Sequence, residues 1–204
     1  MTIFQQKTAL RQKVKLLLNL LTAEEVAVKS AAVWAQVERL QEFKSAKNIL
    51  AYASLKTEVQ THDFLQRWSG KKSIFLPIVC GDELRVGRFC HAECNEASLE
   101  ILRFAQNDKR GAQNDNSGIL RRGAFGILQP ETALAEIPPL DLAIIPGIAF
   151  DRRNNRLGRG KGFYDNFLKH KVLQKIGVCF DCQLFDEIPH EEFDVRMDKV
   201  VTNG

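Results

Sequence analysis

Leu10, Val14, Leu17, Leu18 and Leu21 recur at the spacing of one helical face, so residues 7–21 are expected to form an amphipathic helix. Thr22-Ala23-Glu24-Glu25 then reads as a capping box, in which a hydroxyl and a carboxylate three residues apart satisfy free N–H groups of a first turn. The second helix it opens is expected to run to about Leu40 and to bury Val26, Ala31, Val33, Val37 and Leu40. Beyond it the pattern changes. Short apolar runs at 48–53, 73–78 and 84–89 have strand character, and 61–68 reads as a helix with Thr61 as its cap. Residues 142–146 look like a buried central strand, 162–171 like a helix and 175–180 like a further strand. Strands alternating with helices predict an α/β fold: a single three-layer α/β/α domain over 1–204 with a mostly parallel central sheet.

Residues 94–122 interrupt this regularity. The tetrapeptide Ala105-Gln106-Asn107-Asp108 returns seven residues later as Ala112-Gln113-Asn114-Asp115, in a polar stretch between two element-like runs. Two such short copies do not make a solenoid, and a flexible surface insertion is expected there.

Composition narrows the function classes. No apolar run approaches the roughly 20 residues that span a bilayer. Lys7, Arg11, Lys13 and Lys15 break up the first segment, so it lacks a signal-peptide core. The net charge of +4 suits a small anionic ligand. No concentrated basic stripe with interleaved aromatics is present, so neither nucleic acid nor membrane is an expected partner. Cys80, Cys90, Cys94, Cys179 and Cys182 are odd in number, in a chain too large to need disulfide staples. A zinc site near His91 or at Cys179 and Cys182 is conceivable. A buried thiol on a strand is the plainer reading of Cys179, and the reducing cytoplasm is the expected compartment.

The chemistry is concentrated in residues 146–165, which follow a strand and precede a helix. Gly158, Gly160 and Gly162 alternate with Leu157, Arg159 and Lys161. Glycine permits positive φ and close backbone approach, and successive N–H groups in such a loop can hold an anion. Arg156, Arg159 and Lys161 add full charges, and a helix beginning near Gly162 adds the positive end of its dipole. Together they make a polyphosphate cradle. It is neither a Walker A loop, since Gly162 follows Lys161, nor a dinucleotide fingerprint.

From Pro146 to Asp165 the chain resembles the signature of the 5-formyltetrahydrofolate cyclo-ligase family, PGxAFD leading into RLGRGxGYYD, with Phe163 replacing the first tyrosine. The resemblance extends to Lys7-Thr8-Ala9-Leu10-Arg11 (KxxLR), to 48–58, to 71–77 (GKxVxLP), to 123–130 (GxFGIxEP) and to the C-terminal segments. Only about 94–122 departs from it.

What the resemblance implies is an ATP-dependent closure of 5-formyltetrahydrofolate to 5,10-methenyltetrahydrofolate, by phosphorylation of the formyl oxygen, with release of ADP and phosphate. ATP would be held by Lys7, Arg11, Arg156, Leu157, Gly158, Arg159, Gly160, Lys161, Gly162, Phe163 and Tyr164. Arg159 and Lys161 would be catalytic, stabilising the transferring phosphoryl group. Mg2+ would be held by Asp165 and Asp198. Ala53 and Glu58 would contact substrate, with Tyr52, Phe150 and Tyr164 as candidate walls for the folate ring. A monomer is expected. Two residues depart from the family pattern. Gln129 stands where glutamate is usual, keeping an acceptor but losing the charge, and Ile78 stands where arginine is frequent. Two other readings remain: a sugar-phosphate isomerase-like enzyme, which needs a poised general base, and a nucleotide- or folate-binding module impaired in catalysis.

Overall fold

A computed structural model describes residues 1–89, 120–123 and 128–204. Helix α1 (Ile3–Asn19) begins four residues before its expected start, because Thr2 and Gln5 form a capping box of their own. Helix α2 (Ala23–Val37) begins at the expected box, where Glu25 N–H donates to the Thr22 hydroxyl at 3.2 Å and Thr22 N–H to Glu25 at 2.8 Å. Its core face is Ser30, Val33, Trp34 and Val37, whereas Ala31 is exposed. Ala31 lies off that i, i+3, i+4, i+7 stripe, which is centred by Trp34 stacking on Phe64 at 4.0 Å. The chain leaves α2 before Leu40 and restarts as α3 (Gln41–Ser45).

The remaining elements are β1 (Asn48–Leu50), α4 (His62–Ser69), β2 (Ser73–Cys80), β3 (Glu83–Phe89), β4 (Leu120–Arg122), β5 (Leu128–Pro130), β6 (Leu142–Pro146), β7 (Ala149–Asp151), β8 (Arg156–Leu157), α5 (Phe163–Leu168), β9 (Gln174–Val178), β10 (Leu184–Phe185) and β11 (Lys199–Val201). The main sheet has six strands in the order β11-β9-β6-β1-β2-β3. All its pairings are parallel except the β2–β3 hairpin. Among the described residues two small sheets, β10-β7-β8 and β4-β5, accompany it.

Period-two alternation divides the core. Ile49 and Ile144 face one side, with Val14, Leu18, Val33, Trp34 and Phe64 from α1, α2 and α4. Leu50 and Ile145 face the other, with Phe75, Phe150 and Leu168. Each such fully buried side chain contributes about 1.5–3 kcal/mol through removal from water. The layers are unequal: the second outer layer has α5, six residues long, where a helix to Lys171 was expected. Most of the expected insertion, including the duplicated tetrapeptide, lies outside the described residues, as do Cys90, His91 and Cys94. Its last residues are not loop: 120–122 form β4, paired antiparallel with β5. Among the described residues no helix is long and apolar enough to cross a membrane.

Candidate active site

In an open parallel sheet, ligand clefts form beyond the carboxyl ends of the strands. Here that edge carries a cleft of about 380 Å³. One wall is the chain leaving β1, with Tyr52, Ala53, Leu55 and Glu58. A second is apolar: Pro77 and Val79 of β2 and Leu84 of β3, with Gln129 of β5 beside them. The third is the glycine loop, supplying Arg156, Gly158, Arg159, Lys161, Gly162, Phe163, Tyr164 and Asp165, and Pro146 and Gly147 complete the lining at the end of β6.

The wall from β1 is held by hydrogen bonds made largely to its own backbone. The Tyr52 hydroxyl donates to Val59 O at 2.8 Å, and Trp34 Nε1 on α2 donates to Gln60 O at 2.6 Å. Ser54 and Thr61 exchange bonds, each backbone N–H donating to the other's hydroxyl at 3.0 and 3.1 Å. Thr61 takes the N-cap position of α4, as the sequence predicts, but its hydroxyl accepts from Ser54 N–H and makes no capping bond to the helix. This clasp fixes Glu58, whose Oε2 accepts from Leu55 N–H at 2.9 Å and whose Oε1 accepts from Arg159 at 2.8 Å. Burial, and secondarily the Glu58 charge, raises the Tyr52 and Tyr164 hydroxyls above their usual range, so both stay protonated.

The loop depends on its glycines where the backbone is left-handed, at Gly160 (φ 100°) and Gly162 (φ 66°). At Gly158 the reason is space: a Cβ there would sit 3.0 Å from Arg156 Nη1. The four cations around the loop have separate tasks. Arg156, with its side chain 3% exposed, is wedged beneath the loop. Its Nη2 donates to both Asp165 oxygens at 3.0 Å, Nη1 to Pro146 O at 3.4 Å, and the guanidinium lies 5.5 Å from the Tyr164 ring centre. Arg11 donates from Nε to Gly158 O at 2.9 Å. Arg159 is tied to Glu58. Lys161 is exposed and, among the described residues, forms no ion pair.

Several expected residues stand elsewhere. Leu157 is core, and Gly160 lies beside the Arg11 guanidinium and is not part of the described lining. Lys7 is buried in ion pairs with Glu191 (2.7 Å) and Asp194 (2.6 Å). Burial alone would lower its pKa, but bonds to Asp194 and Glu191 outweigh it, and the pKa lies above 10.5. Phe150 is core as well: its ring lies against Gly147 and Gly177, where a Cβ would meet it at 2.6 and 2.4 Å. Ile78 is buried between Pro77 and Val79 but, by strand alternation, is not in the lining.

The two expected metal-binding aspartates stand apart. Asp198 accepts from Lys175 N–H at 2.7 Å and pairs with Lys175 Nζ at 3.0 Å. Lys175 is in register with Ala143, three residues before the cleft end of β6, so Asp198 lies toward the opposite edge of the sheet. Asp165 has both oxygens on Arg156, and Oδ1 also accepts from Val195 N–H at 3.1 Å. Asp194, beside that amide, is the acid nearest in chain to this contact. The structure thus gives Asp165 and Asp198 different cationic partners and does not bring the two carboxylates together. Among the described residues no group of three His, Cys, Asp or Glu side chains is placed to hold a metal.

Sequence reading missed the hairpin wall of Pro77, Val79 and Leu84. The signal was present in the alternation along 73–80, which puts Pro77 and Val79 on one face, with Leu84 paired across to Val79.

The chain matches the 5-formyltetrahydrofolate cyclo-ligase family over residues 3–203. It is 29% identical over 214 residues to a probable 5-formyltetrahydrofolate cyclo-ligase of Caenorhabditis elegans, covering 99% of this chain and 95% of that protein. It is 40% identical over 164 residues to the 5-formyltetrahydrofolate cyclo-ligase of Escherichia coli K12, covering 77% of this chain and 78% of that protein. The solved structure of Aquifex aeolicus 5,10-methenyltetrahydrofolate synthetase matches with a TM-score of 0.76 at 31% identity, over 97% of this chain and 89% of that one.

Proposed function

The chain belongs to the 5-formyltetrahydrofolate cyclo-ligase family of ligases, and we propose that it closes 5-formyltetrahydrofolate to 5,10-methenyltetrahydrofolate using ATP. The observation that carries this reading is one cleft with two unlike walls: a flat apolar side for a ring, and a glycine loop with Lys161 and Arg159 for a polyphosphate. The γ-phosphoryl group passes from ATP to the formyl oxygen, releasing ADP. N10 then attacks the formyl carbon, its C–N bond forming as the C–O bond breaks. Phosphate leaves with the former formyl oxygen, and the N10 proton goes to solvent.

This route needs no protein nucleophile, in keeping with a described lining that has no serine, cysteine or histidine. The protein's part is positioning and charge. Lys161 offers an unpaired ammonium to the transferring phosphoryl group, and Arg159 joins it on leaving Glu58. Arg11 and Arg156 hold the loop in shape. ATP arrives as its magnesium salt. The isomerase-like reading is weakened because both carboxylates of the lining, Glu58 and Asp165, are held by arginines. A single folded chain in the cytoplasm is the setting in which we expect this chemistry.

Purified protein with 5-formyltetrahydrofolate and MgATP is expected to generate the near-ultraviolet absorbance of the methenyl product, and none without ATP. Lys161→Ala should lower kcat by about 10²–10³-fold, by analogy with losing one preorganised oxyanion donor. ATP binding without any product would instead support an impaired binding module.

A further inference from the structure

The ion pair between Glu58 and Arg159 joins two walls of the cleft, the chain leaving β1 and the glycine loop, and both residues belong to the lining. Its two members are not equally free. The Glu58 side chain is 11% exposed, and its Oε2 is held by Leu55 N–H, so the carboxylate stays where the clasp of Ser54 and Thr61 puts it. The Arg159 side chain is 49% exposed and stands between Gly158 and Gly160. Among the described residues Glu58 Oε1 is its one hydrogen-bond acceptor, at 2.8 Å. Arg159 is therefore the member that can swing, and Glu58 the one that is fixed.

The two substrates meet this pair differently. The polyphosphate of ATP carries only acceptors, so it attracts Arg159 and offers nothing to Glu58. Drawing the guanidinium away would leave a mostly buried carboxylate with Oε1 unmet, which opposes the move. The pterin ring edge carries N–H donors side by side. Placed against Oε1, they replace the guanidinium and leave Arg159 to the phosphates. A ligand shifts a two-state element only through its differential interaction with the two states. Here the pterin interacts with Glu58 only when the pair is open.

We propose that the Glu58–Arg159 pair is an interlock between the two ligand sites: a pterin that donates to Glu58 releases Arg159 to the phosphates of ATP, so that each substrate tightens the other. The proposal rests on the cyclo-ligase reading above. Arg159 then reaches the transferring phosphoryl group only when the formyl oxygen that accepts it is in place. Because binding free energies are linked, the factor by which folate tightens ATP equals the factor by which ATP tightens folate. A half-exposed ion pair sets that factor at up to about five-fold.

The experiment uses calorimetry on the full chain to measure the Kd of the magnesium salt of the β,γ-imido analogue of ATP, which does not transfer its phosphoryl group, with and without saturating 5-formyltetrahydrofolate. The native protein is expected to bind the analogue about three- to five-fold more tightly when the folate is present. Glu58→Gln and Arg159→Met each abolish the ion pair and should bring that factor to about one. They should do so from opposite sides: Glu58→Gln by tightening the analogue in the absence of folate, and Arg159→Met by tightening folate in the absence of the analogue. A factor of one in a native protein that still makes methenyl product overturns the interlock and leaves the reaction standing. A factor that survives in either soluble variant also overturns it, since the coupling would then run through direct contact between the ligands. Failure of the native protein to bind 5-formyltetrahydrofolate, or to make methenyl product from it with ATP, sinks the cyclo-ligase reading instead.

Discussion

Asp165→Asn isolates the charge of one carboxylate almost without changing its volume, and the structure sets what that should cost. Arg156 is 3% exposed and Asp165 15%, and the pair shares two 3.0 Å bonds. Arg156 Nε is buried with no partner, so the guanidinium already has one unmet donor. Removing the opposite charge from a buried pair costs about 3–5 kcal/mol, because the remaining ion cannot return to water. The slight opening at Asp165 and the Tyr164 ring beside the guanidinium favour the lower figure, about 3 kcal/mol. For a chain of this size that corresponds to a fall in Tm of about 6–12 °C. Replacing both residues with apolar ones, Arg156→Met with Asp165→Leu, removes two charges together and should cost only about 1 kcal/mol. Urea unfolding of the native protein, Arg156→Met, Asp165→Leu and the double variant gives the coupling energy directly. Costs that simply add, with the double variant at the sum of the singles, would refute the view that this pair is a mutually dependent brace under the loop.

Two further predictions test neighbouring charges. Glu58→Gln should free Arg159 for phosphate and tighten ATP binding by up to about five-fold, since a half-exposed ion pair is worth at most about 1 kcal/mol; it should also weaken folate binding, and calorimetry with each ligand separates the two effects. Lys7 has a folded pKa above 10.5, so its pairing with Glu191 and Asp194 contributes stability that is fully present below pH 10.5 and is lost as pH rises through the folded value. Unfolding free energy should therefore fall more steeply above pH 10.5 in the native protein than in Lys7→Met, and parallel alkaline limbs would show that the pair contributes nothing.

Much of the fold could be read from the chain because burial on one face writes a period into it. Val14 and Leu18, Val33 and Val37, and the run 142–146 all lie where that period put them. Errors arose where local signals were ambiguous. In α2 the apolar count keeps Val33 and Val37 on the core face but includes the exposed Ala31 and omits Trp34. Helix α5 stops at Leu168 although the sequence around it has no Gly or Pro until Gly177. In the C-terminal segment Asp194 and Asp198 are four residues apart and look alike. Only the pairing of β11 with β9 shows that Asp198 meets Lys175 while the chain beside Asp194 meets Asp165.

The same limit governs the basic residues of the site, and it bears on mechanism. Lys7, Arg11, Arg156, Arg159 and Lys161 are interchangeable as charges in a sequence, and a resemblance groups them all around ATP. Folding separates them through partners more than 100 residues away in most cases: Glu191 and Asp194 for Lys7, Gly158 O for Arg11, Glu58 for Arg159. A charge neutralised by a buried acid attracts phosphate weakly, because the pair's field falls off as a dipole's does. The cradle is therefore less positive than its composition suggests. Its pull on a polyphosphate rests first on Lys161, then on Arg159 once a ligand outcompetes Glu58, with Arg156 and Arg11 acting through the loop shape they impose. It follows that losing Lys161 and losing Arg156 should differ in kind: the first removes attraction from an intact cradle, and the second distorts a cradle whose attraction remains.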